Sequence, residues 1–299
     1  MRIALVLNSG AGTLRGGDAT AVAEKIAAIF QKHGHEVTTT LAEGRDAVAA
    51  IRRIAAAKQV EVLVVGGGDG TISAAAAACA ESGTALGVLP LGTMNLFARS
   101  LKIPLAVEAA AEALATGEIA AVDIARVNGR PFVHVVALGF HPELVEEREK
   151  TPSYRSRIEK MAVSFRSWWR VIRRPPHMFL SIRTDHQTME RETIGLVVSN
   201  NVLGVGHLPY ADRLDTGTLG VYVTRAGSPV EIARVTAEAA VGLVSISPLI
   251  EHLTSQTVDI RIHRSRIKAT VDGELVRLPG PLKVESVAGG LRVLRPAQG

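Results

Sequence analysis

The stretch Val64-Val65-Gly66-Gly67-Gly68-Asp69-Gly70-Thr71 marks the point where a buried strand gives way to a backbone almost without side chains. Glu61 to Val65 are mostly apolar and β-branched, which is typical of an interior strand. The three glycines permit positive φ angles and let main-chain N–H groups point outward, as in an anion-binding nest. A helix predicted after Thr71 adds the positive end of its dipole. The stretch therefore predicts a nucleotide phosphate site; a tight turn without a ligand is the alternative.

Asp69 is the only charged residue of this glycine-rich loop. A carboxylate and a phosphate repel each other, so a carboxylate at such a position commonly acts through a divalent cation that binds both. We therefore predict that Asp69 helps to hold Mg²⁺.

Strands and helices alternate through the first third of the chain. Arg2 to Leu7 form an aliphatic strand that ends in the small-residue turn Asn8 to Thr13, and Ala85 to Leu89 form another that ends in Pro90 to Arg99. This alternation predicts a parallel sheet with helices on both faces. Because ligands of such sheets bind at the carboxyl ends of the strands, we expect both turns and the glycine-rich loop at one edge.

The pattern changes from strand–helix units to hairpins after Asp123. Asn128-Gly129 is a strong signal for a two-residue hairpin turn, with Pro131 to Leu138 as the returning strand. Short β patterns beyond Pro176 predict an antiparallel, sandwich-like second domain with one helix. We predict a nucleotide-binding α/β domain over 1–123, a β-rich lipid-substrate domain over 124–284, and a last strand at about 285–296 that returns to the first sheet.

The composition favours an ordered protein with anionic partners. Hydrophobic residues make up 47% of the chain, and 34 basic against 29 acidic side chains leave a net charge of +5. Aromatic residues make up only 4%, so we expect no nucleic acid binding. The single cysteine, Cys79, excludes an internal disulfide and fits a small core residue. The N-terminus lacks a cleavage pattern and no apolar run approaches the ~18 residues of a membrane span, so we expect a cytoplasmic protein.

A basic segment that contains both tryptophans of the protein runs from Arg148 to Arg174. Trp168 and Trp169 stand at helical spacing with other apolar residues among its arginines and lysines. A basic amphipathic helix with tryptophan is typical of an interfacial membrane helix, which predicts peripheral attachment to the anionic inner face of a membrane. The alternative is a helix that packs on its own domain and has a solvated basic face.

Three clusters together resemble the diacylglycerol kinase catalytic-domain family, which includes sphingosine and ceramide kinases and YegS-like bacterial lipid kinases. They are Gly66 to Thr71, Pro90 to Arg99, and Thr270-Val271-Asp272-Gly273-Glu274. The first cluster alone is also similar to NAD kinases and phosphofructokinases, whereas the other two look like the lipid kinases. The resemblance covers nearly the whole chain and implies a Rossmann-like α/β domain of the NAD kinase/phosphofructokinase type followed by a β-sandwich-like domain.

The resemblance also implies ATP and Mg²⁺ as cofactors. Glu274 matches a proposed catalytic carboxylate that accepts the proton of the lipid hydroxyl, although Asp-Gly-Glu is equally good turn chemistry. Asp123 matches a carboxylate that helps Asp69 hold Mg²⁺ through water; a solvated strand-end aspartate is the alternative. The implied nucleotide contacts are Asn8, Ser9, Gly10, Ala11, Gly12, Thr40, for which a plain strand threonine is the alternative, Gly66, Gly67, Gly68, Asp69, Gly70, Thr71, Thr93 and Asn95.

The chain departs from the family pattern in three places. Members commonly carry an aspartate where Leu96 stands. This chain therefore lacks one contributor to the metal network. Some bacterial members hold a structural Mg²⁺ in a loop that is similar to Arg213, Thr216 and Thr218; because Thr216 takes an aspartate position, we doubt that this site is filled. Members tend to carry Asn and Asp around His134 and His141, which we interpret as structural residues.

The leading hypothesis is an ATP-dependent lipid kinase. Diacylglycerol is the expected acceptor, and ceramide or a sphingoid base is the alternative. Val241 to Ile250 could take the acyl chains or form core. A soluble enzyme of the NAD kinase type and a non-catalytic lipid- or nucleotide-binding protein stay open, as does the oligomeric state.

Overall fold

The alternating strands and helices of the N-terminal part form a parallel sheet in the order β2-β1-β3-β4. The computed structural model describes residues 1–15, 17–150, 166, 168–225 and 227–297, and only the backbone of Arg148. The helices pack in two pairs, α1 with α5 and α2 with α3. The elements are β1 (Arg2–Asn8), α1 (Ala19–Lys32), β2 (Glu36–Ala42), α2 (Gly44–Ala57), β3 (Val62–Gly67), α3 (Asp69–Ser82), β4 (Ala85–Pro90), α4 (Leu96–Ser100) and α5 (Val107–Ala115).

The interior strands β1, β3 and β4 are buried almost throughout, because aliphatic side chains face helices on both sides of the sheet. Their core includes Cys79, as the sequence predicts, and burial raises the pKa of its thiol to about 12, so the thiol stays protonated. The alternation of β and α units is thus confirmed as a parallel α/β layer.

The rest of the chain folds as a second layer built from two sheets. One is antiparallel, in the order β12-β11-β10-β7-β14-β15, and the other continues the first sheet through β16, β13, β8 and β9. The elements are β5 (Glu118–Val127), β6 (Arg130–Phe132), β7 (Val135–Gly139), α6 (Phe140–Glu149), β8 (Met178–Thr184), β9 (Thr188–Thr193), β10 (Gly195–Asn200), β11 (Leu219–Thr224), α7 (Pro229–Ala240), a 3₁₀ turn (Val244–Ile246), β12 (Ile250–Ser255), β13 (Thr257–Arg261), β14 (Arg266–Val271), β15 (Glu274–Pro279) and β16 (Leu282–Arg295).

Apolar side chains from both sheets meet in one core, which confirms the sandwich-like arrangement. Leu180, Ile182 and Val258 come from the continued sheet, and Leu196 and Val221 come from the antiparallel one; all are essentially inaccessible to water.

β16 joins the two layers. Val293 and Leu294, near its end, run parallel to β4, and its first residues pair with β13. Val284–Val287 and Leu291–Arg295 pair antiparallel with β5, with a bulge between them. One ten-stranded sheet therefore extends through both predicted domains.

The predicted strand from Pro131 to Leu138 is wrong as a single element. β6 pairs with β5 in the first sheet, whereas β7 pairs with β10 and β14 in the other sheet. The chain changes sheets at Val133–Val135, where three consecutive backbone N–H groups donate to the carboxylate of Asp272. A side chain far along the sequence thus interrupts the strand.

The predicted interfacial helix from Arg148 to Arg174 lies largely outside the described residues, since 151–165 and 167 are not among them. Residues 168–173 are helical, and Trp168 packs with Ile172 against the second layer. Trp169 is 43% exposed, with the Arg173 guanidinium 4.9 Å from its ring centroid. Within the described parts of the chain, no helix is long and apolar enough to cross a bilayer.

Candidate functional site

The turns that follow β1, β3 and β4 meet at one edge of the sheet, as expected from the sequence. Asn8 Nδ2 donates to Thr71 Oγ1 at 3.0 Å, and the backbone N–H of Thr13 donates to Leu91 O at 3.2 Å. β1 lies between β2 and β3, so the order of the strands reverses here. Ligands of open α/β sheets bind in the crevice at such a reversal.

The glycines of the loop serve close packing, and Gly66, Gly67 and Gly68 do not use the positive φ angles that glycine permits. A Cβ on Gly66 would meet Leu91 Cδ1 at 2.7 Å, and one on Gly67 would meet Thr71 Cβ at 2.6 Å. Glycine is therefore required at these two positions because a Cβ would have no room. α3 begins directly after Gly68 without a side-chain hydrogen bond at its N-cap, which favours an anion there.

Asp69 ties the glycine-rich loop to the following turn. Its carboxylate accepts the backbone N–H of Asn95 at 3.1 Å and that of Leu96 at 2.7 Å. Asn95 adopts a left-handed φ of 51°, and its side chain closes the turn by two hydrogen bonds to the backbone of Gly92. Each oxygen of Asp69 has accepted one of about two possible hydrogen bonds, so both can still bind a cation.

The other predicted nucleotide contacts lie around this edge. Asn8 Oδ1 accepts the N–H of Gly10 at 3.1 Å, and Ser9 Oγ donates to Ala42 O at 3.3 Å. Thr40 pairs with Val6, two residues before the carboxyl end of β2. The remaining predicted contacts belong to the same turns: Ala11 and Gly12 after β1, Gly70 at the start of α3, and Thr93 after β4.

Asp272 links the two layers, and sequence reasoning had named only its neighbour Glu274 as catalytic. Besides the three N–H groups of Val133–Val135, at 2.9 to 3.0 Å, its carboxylate accepts the hydroxyl of Ser73 in α3 at 2.6 Å. Asp272 and Gly273 have φ angles of 47° and 85°, which define a type I′ turn. The Asp-Gly pair is the sequence signal for the turn; its contact with α3 has no local signal.

Glu274 points away from this contact. Its side chain is 57% exposed and pairs with Arg130, with Arg130 Nη2 2.7 Å from Glu274 Oε2. Its catalytic role stays a prediction.

Asp123 lies in the middle of β5 and not at its end, and it is 2% exposed. Its carboxylate accepts the N–H of Gly217 at 2.6 Å and that of Gly289 at 3.0 Å, where β16 bulges away from β5. The carboxylate thereby satisfies the N–H of Gly289 in the bulge and that of Gly217 in the segment before β11. Its role in holding Mg²⁺ also stays a prediction.

A cavity of about 440 Å³ opens beside Asp69, Ser73 and Asp272. Apolar side chains form most of its wall: Met94, Leu96, Phe97, Val133, Val135, Ala137, Val197, Leu203, Pro209, Ala239 and Val244. His134 and His141 also line it, and His141 Nδ1 lies 2.8 Å from Thr270 Oγ1. Burial lowers the pKa of His134, which the negative charges of Asp272 and Asp69 partly oppose.

Comparison with known proteins agrees with this architecture. Residues 2–127 match the diacylglycerol kinase catalytic domain. This part of the chain, which includes the glycine-rich loop, is thus similar to that family. A diacylglycerol kinase of Staphylococcus saprophyticus is 24% identical over 225 residues, which cover 74% of this chain and 72% of that protein. One of Staphylococcus aureus is 26% identical over 250 residues, or 82% of this chain and 78% of that one.

Two further comparisons concern length and fold. An uncharacterised protein of Synechocystis is 25% identical over 248 residues, which cover 79% of this chain but only 55% of that longer relative. The crystal structure of a diacylglycerol kinase from Bacillus anthracis superposes with a TM-score of 0.72 at 20% identity, over 98% of this chain and 96% of the other. The family resemblance read from the three clusters is thus confirmed, together with the fold.

The loop that resembles the structural Mg²⁺ site of some family members is held by hydroxyl groups. Thr216 Oγ1 donates to Asn201 Oδ1 at 2.5 Å and accepts from Thr218 Oγ1 at 2.9 Å, while Arg213 Nε lies 3.0 Å from Asp215 Oδ1. Among the described residues, no three acidic, histidine or cysteine side chains are grouped closely enough to hold a metal.

Proposed function

We propose that this protein is an ATP-dependent kinase that phosphorylates the hydroxyl group of a membrane lipid, with diacylglycerol as the first acceptor to test. The observation that carries the proposal is the apolar cavity beside Asp69 and Asp272, next to the edge of the sheet where the glycine turns meet. The match of residues 2–127 to the diacylglycerol kinase catalytic domain and the similarity to relatives named as diacylglycerol kinases support it.

The turn residues fit the phosphates of ATP. Gly66 and Gly67 leave no room for a Cβ, Thr71 offers a hydroxyl, and α3 directs its N-terminus to the same place. Asp69 retains lone pairs for Mg²⁺, which would neutralise phosphate charge when bound. We keep Asp123 as the second predicted metal group, acting through water.

The cavity fits the hydrocarbon part of the acceptor, with its hydroxyl group near Asp272. The carboxylate of Asp272 accepts four donors, two on each oxygen, which leaves no lone pair for the hydroxyl. We therefore assign Asp272 to hold the cavity wall at Val133–Val135 against α3, so that the wall positions the hydroxyl. In the reaction the hydroxyl oxygen bonds to the γ-phosphorus, the bond from that phosphorus to the bridging oxygen breaks, and ADP leaves with the electron pair. The hydroxyl proton passes to Glu274, the predicted acceptor two residues along the hairpin, whose side chain must turn from Arg130 toward the cavity to receive it.

The volume of the cavity favours a second candidate acceptor. At about 30 Å³ for each water-sized group, 440 Å³ holds roughly 15 such groups, enough for most of one long hydrocarbon chain and too few for two. The chain of a single-chain lipid such as a sphingoid base or a monoacylglycerol therefore fits for most of its length. A diacylglycerol would leave its second chain outside.

The test is transfer of labelled γ-phosphate from ATP with Mg²⁺ to diacylglycerol, monoacylglycerol, ceramide and sphingosine in mixed micelles, with NAD as a soluble control. We expect a labelled lipid, and its identity distinguishes the candidates. Labelled NAD would instead show a soluble kinase of the NAD kinase type. A protein that binds ATP but labels none of these would contradict the proposal and favour a binding function.

A further inference from the structure

Four large apolar side chains are exposed next to the wall of the apolar cavity. Met94 lines the cavity and is 40% exposed, while Val205, Val241 and Ile246 are 49%, 57% and 63% exposed. Val205, Val241 and Ile246 each stand two residues from a residue of the cavity wall, namely Leu203, Ala239 and Val244. We call these four residues the apolar rim.

The two chain segments that carry most of the rim are fixed to each other. The N–H of Gly206 donates to Gly242 O at 3.0 Å, and Ser245 Oγ donates to Leu203 O at 3.0 Å. Gly242 packs so closely on the backbone of His207 that no side chain fits there. Val205, Val241 and Ile246 therefore belong to one held surface and not to separate loose loops.

Exposed apolar residues scattered singly over a protein need no explanation, but a cluster of them marks a site of interaction. This cluster adjoins a cavity whose wall is itself apolar. A hydrocarbon chain could pass from a bilayer over the rim into the cavity without crossing water. The partly exposed Arg99, whose Nε–H donates to Met94 O at 2.9 Å, places a cation beside the rim where anionic headgroups would lie.

We propose that the apolar rim is the surface on which this protein docks to an anionic bilayer, and that the lipid acceptor reaches the cavity across it. The choice of a bilayer as the partner rests on the proposed function. The contact differs from the predicted tryptophan helix, because Trp168 packs against Ile172 of its own domain.

The test uses the full chain with Val241→Ser and Ile246→Ser combined, and sedimentation with vesicles of phosphatidylglycerol and phosphatidylcholine that contain a few per cent of the acceptor. We expect the partition coefficient onto vesicles to fall at least fivefold. The rate of phosphorylation of the acceptor in vesicles, divided by the rate of phosphorylation of a dispersed short-chain acceptor, should fall by a similar factor. ATP binding and the thermal unfolding midpoint should stay as in the parent protein.

Val230→Ser is the matched control. Val230 is also an exposed valine, at 79%, but it stands at the opposite end of α7, about 16 Å from Val241 at 1.5 Å per residue. The control should bind vesicles like the parent protein. Val205→Ser, on the other rim segment, should weaken binding as the double variant does.

Three outcomes would overturn the inference: a parent protein that does not bind vesicles, rim variants that bind as well as the parent, or a control that loses as much. A rim that instead buries itself in a second copy would show as a shift from dimer to monomer in sedimentation velocity, with vesicle binding unchanged. If vesicle binding depends on the rim but no lipid is phosphorylated, the docking surface stands and the proposed function fails.

Discussion

Two hairpin turns of this protein have nearly the same backbone but different tasks. Asn128-Gly129 and Asp272-Gly273 are both two-residue type I′ turns, with φ angles of 48° and 81° in the first and 47° and 85° in the second. The Asn128 side chain binds backbone groups of Pro279 and Lys283 at the end of the second layer. The Asp272 carboxylate reaches across to Ser73 at the wall of the cavity.

The difference shows what each level of organisation decides. The turn type follows from two adjacent residues, since Asn or Asp followed by Gly tolerates left-handed φ at low cost. The function follows from what the first side chain meets. The Asn128 side chain meets the backbone of neighbouring strands. The Asp272 side chain meets Val133–Val135, where the chain changes sheets, and the helix α3, which begins with Asp69.

The sharpest test of this comparison is Asp272→Asn. The amide keeps the turn, but its NH₂ group cannot accept the N–H groups of Val133–Val135. We expect unfolding to become easier by about 2–4 kcal/mol, because charged-group hydrogen bonds are lost and donors are left unsatisfied. Lipid phosphorylation should fall at least 100-fold. Denaturant unfolding and labelled phosphate transfer measure the two effects.

The matched change in the other hairpin is Asn128→Asp. It keeps the turn and the acceptor for the N–H of Lys283, but loses the amide that donates to Pro279 O at 2.8 Å. We expect a loss of stability of about 1 kcal/mol and unchanged turnover. Equal loss of activity in both variants would remove the distinction between the hairpins.

Glu274→Gln tests whether function extends along the second hairpin. If Glu274 accepts the hydroxyl proton, turnover should fall about 100-fold while stability changes by less than about 0.5 kcal/mol, since an exposed ion pair such as Arg130–Glu274 contributes little. Arg130→Gln removes the same ion pair but keeps the carboxylate of Glu274, so it serves as the control. Normal turnover in the Glu274→Gln variant would show that Glu274 does not accept the proton, and would leave Asp272 as the functional residue of this hairpin.

Much of the fold could be predicted from the sequence, because its signals are local. The alternation of strands and helices placed the three turns at one edge, and Asn-Gly and Asp-Gly gave both hairpins. The resemblance pointed to the Asp272–Glu274 hairpin, yet it singled out the exposed member. The contact with Ser73 joins residues 199 positions apart and leaves no local pattern.

The predictions that failed share a physical reason. The strand through Val133–Val135 is interrupted by the carboxylate of Asp272. Asp123, expected at the end of a strand, lies inside β5 and accepts an N–H from the bulge of β16. The glycine-rich loop does not use the left-handed backbone that glycine permits, and the close approach of Leu7 and Leu91 requires Gly66. In each case a distant residue, absent from the local pattern, decides the outcome.

Asp185, like Asp272, is a carboxylate held by both backbone and hydroxyl donors, but it does not line the cavity, and its replacement has the smallest expected effect. Hydrogen bonds from Thr257, the N–H of Gln256 and Ser255 lower its pKa to about 2 against burial. A carboxyl with a depressed folded pKa stabilises the fold above its usual pKa near 4, and this stabilisation is lost as the pH falls toward 2.

Asp185→Asn should therefore lower the free energy of unfolding slightly at pH 7. The expected loss is less than about 1 kcal/mol, because the exposed site is screened by solvent. Its free energy of unfolding should also decline less steeply than that of the parent between pH 4 and pH 2. Urea unfolding across this range measures both, and turnover at pH 7 should not change. If the free energies of unfolding of the parent and of the variant change in parallel with pH, the hydrogen-bond donors around a carboxylate do not decide its contribution to stability. The stabilising role assigned to Asp272 from its four donors would then lose its support.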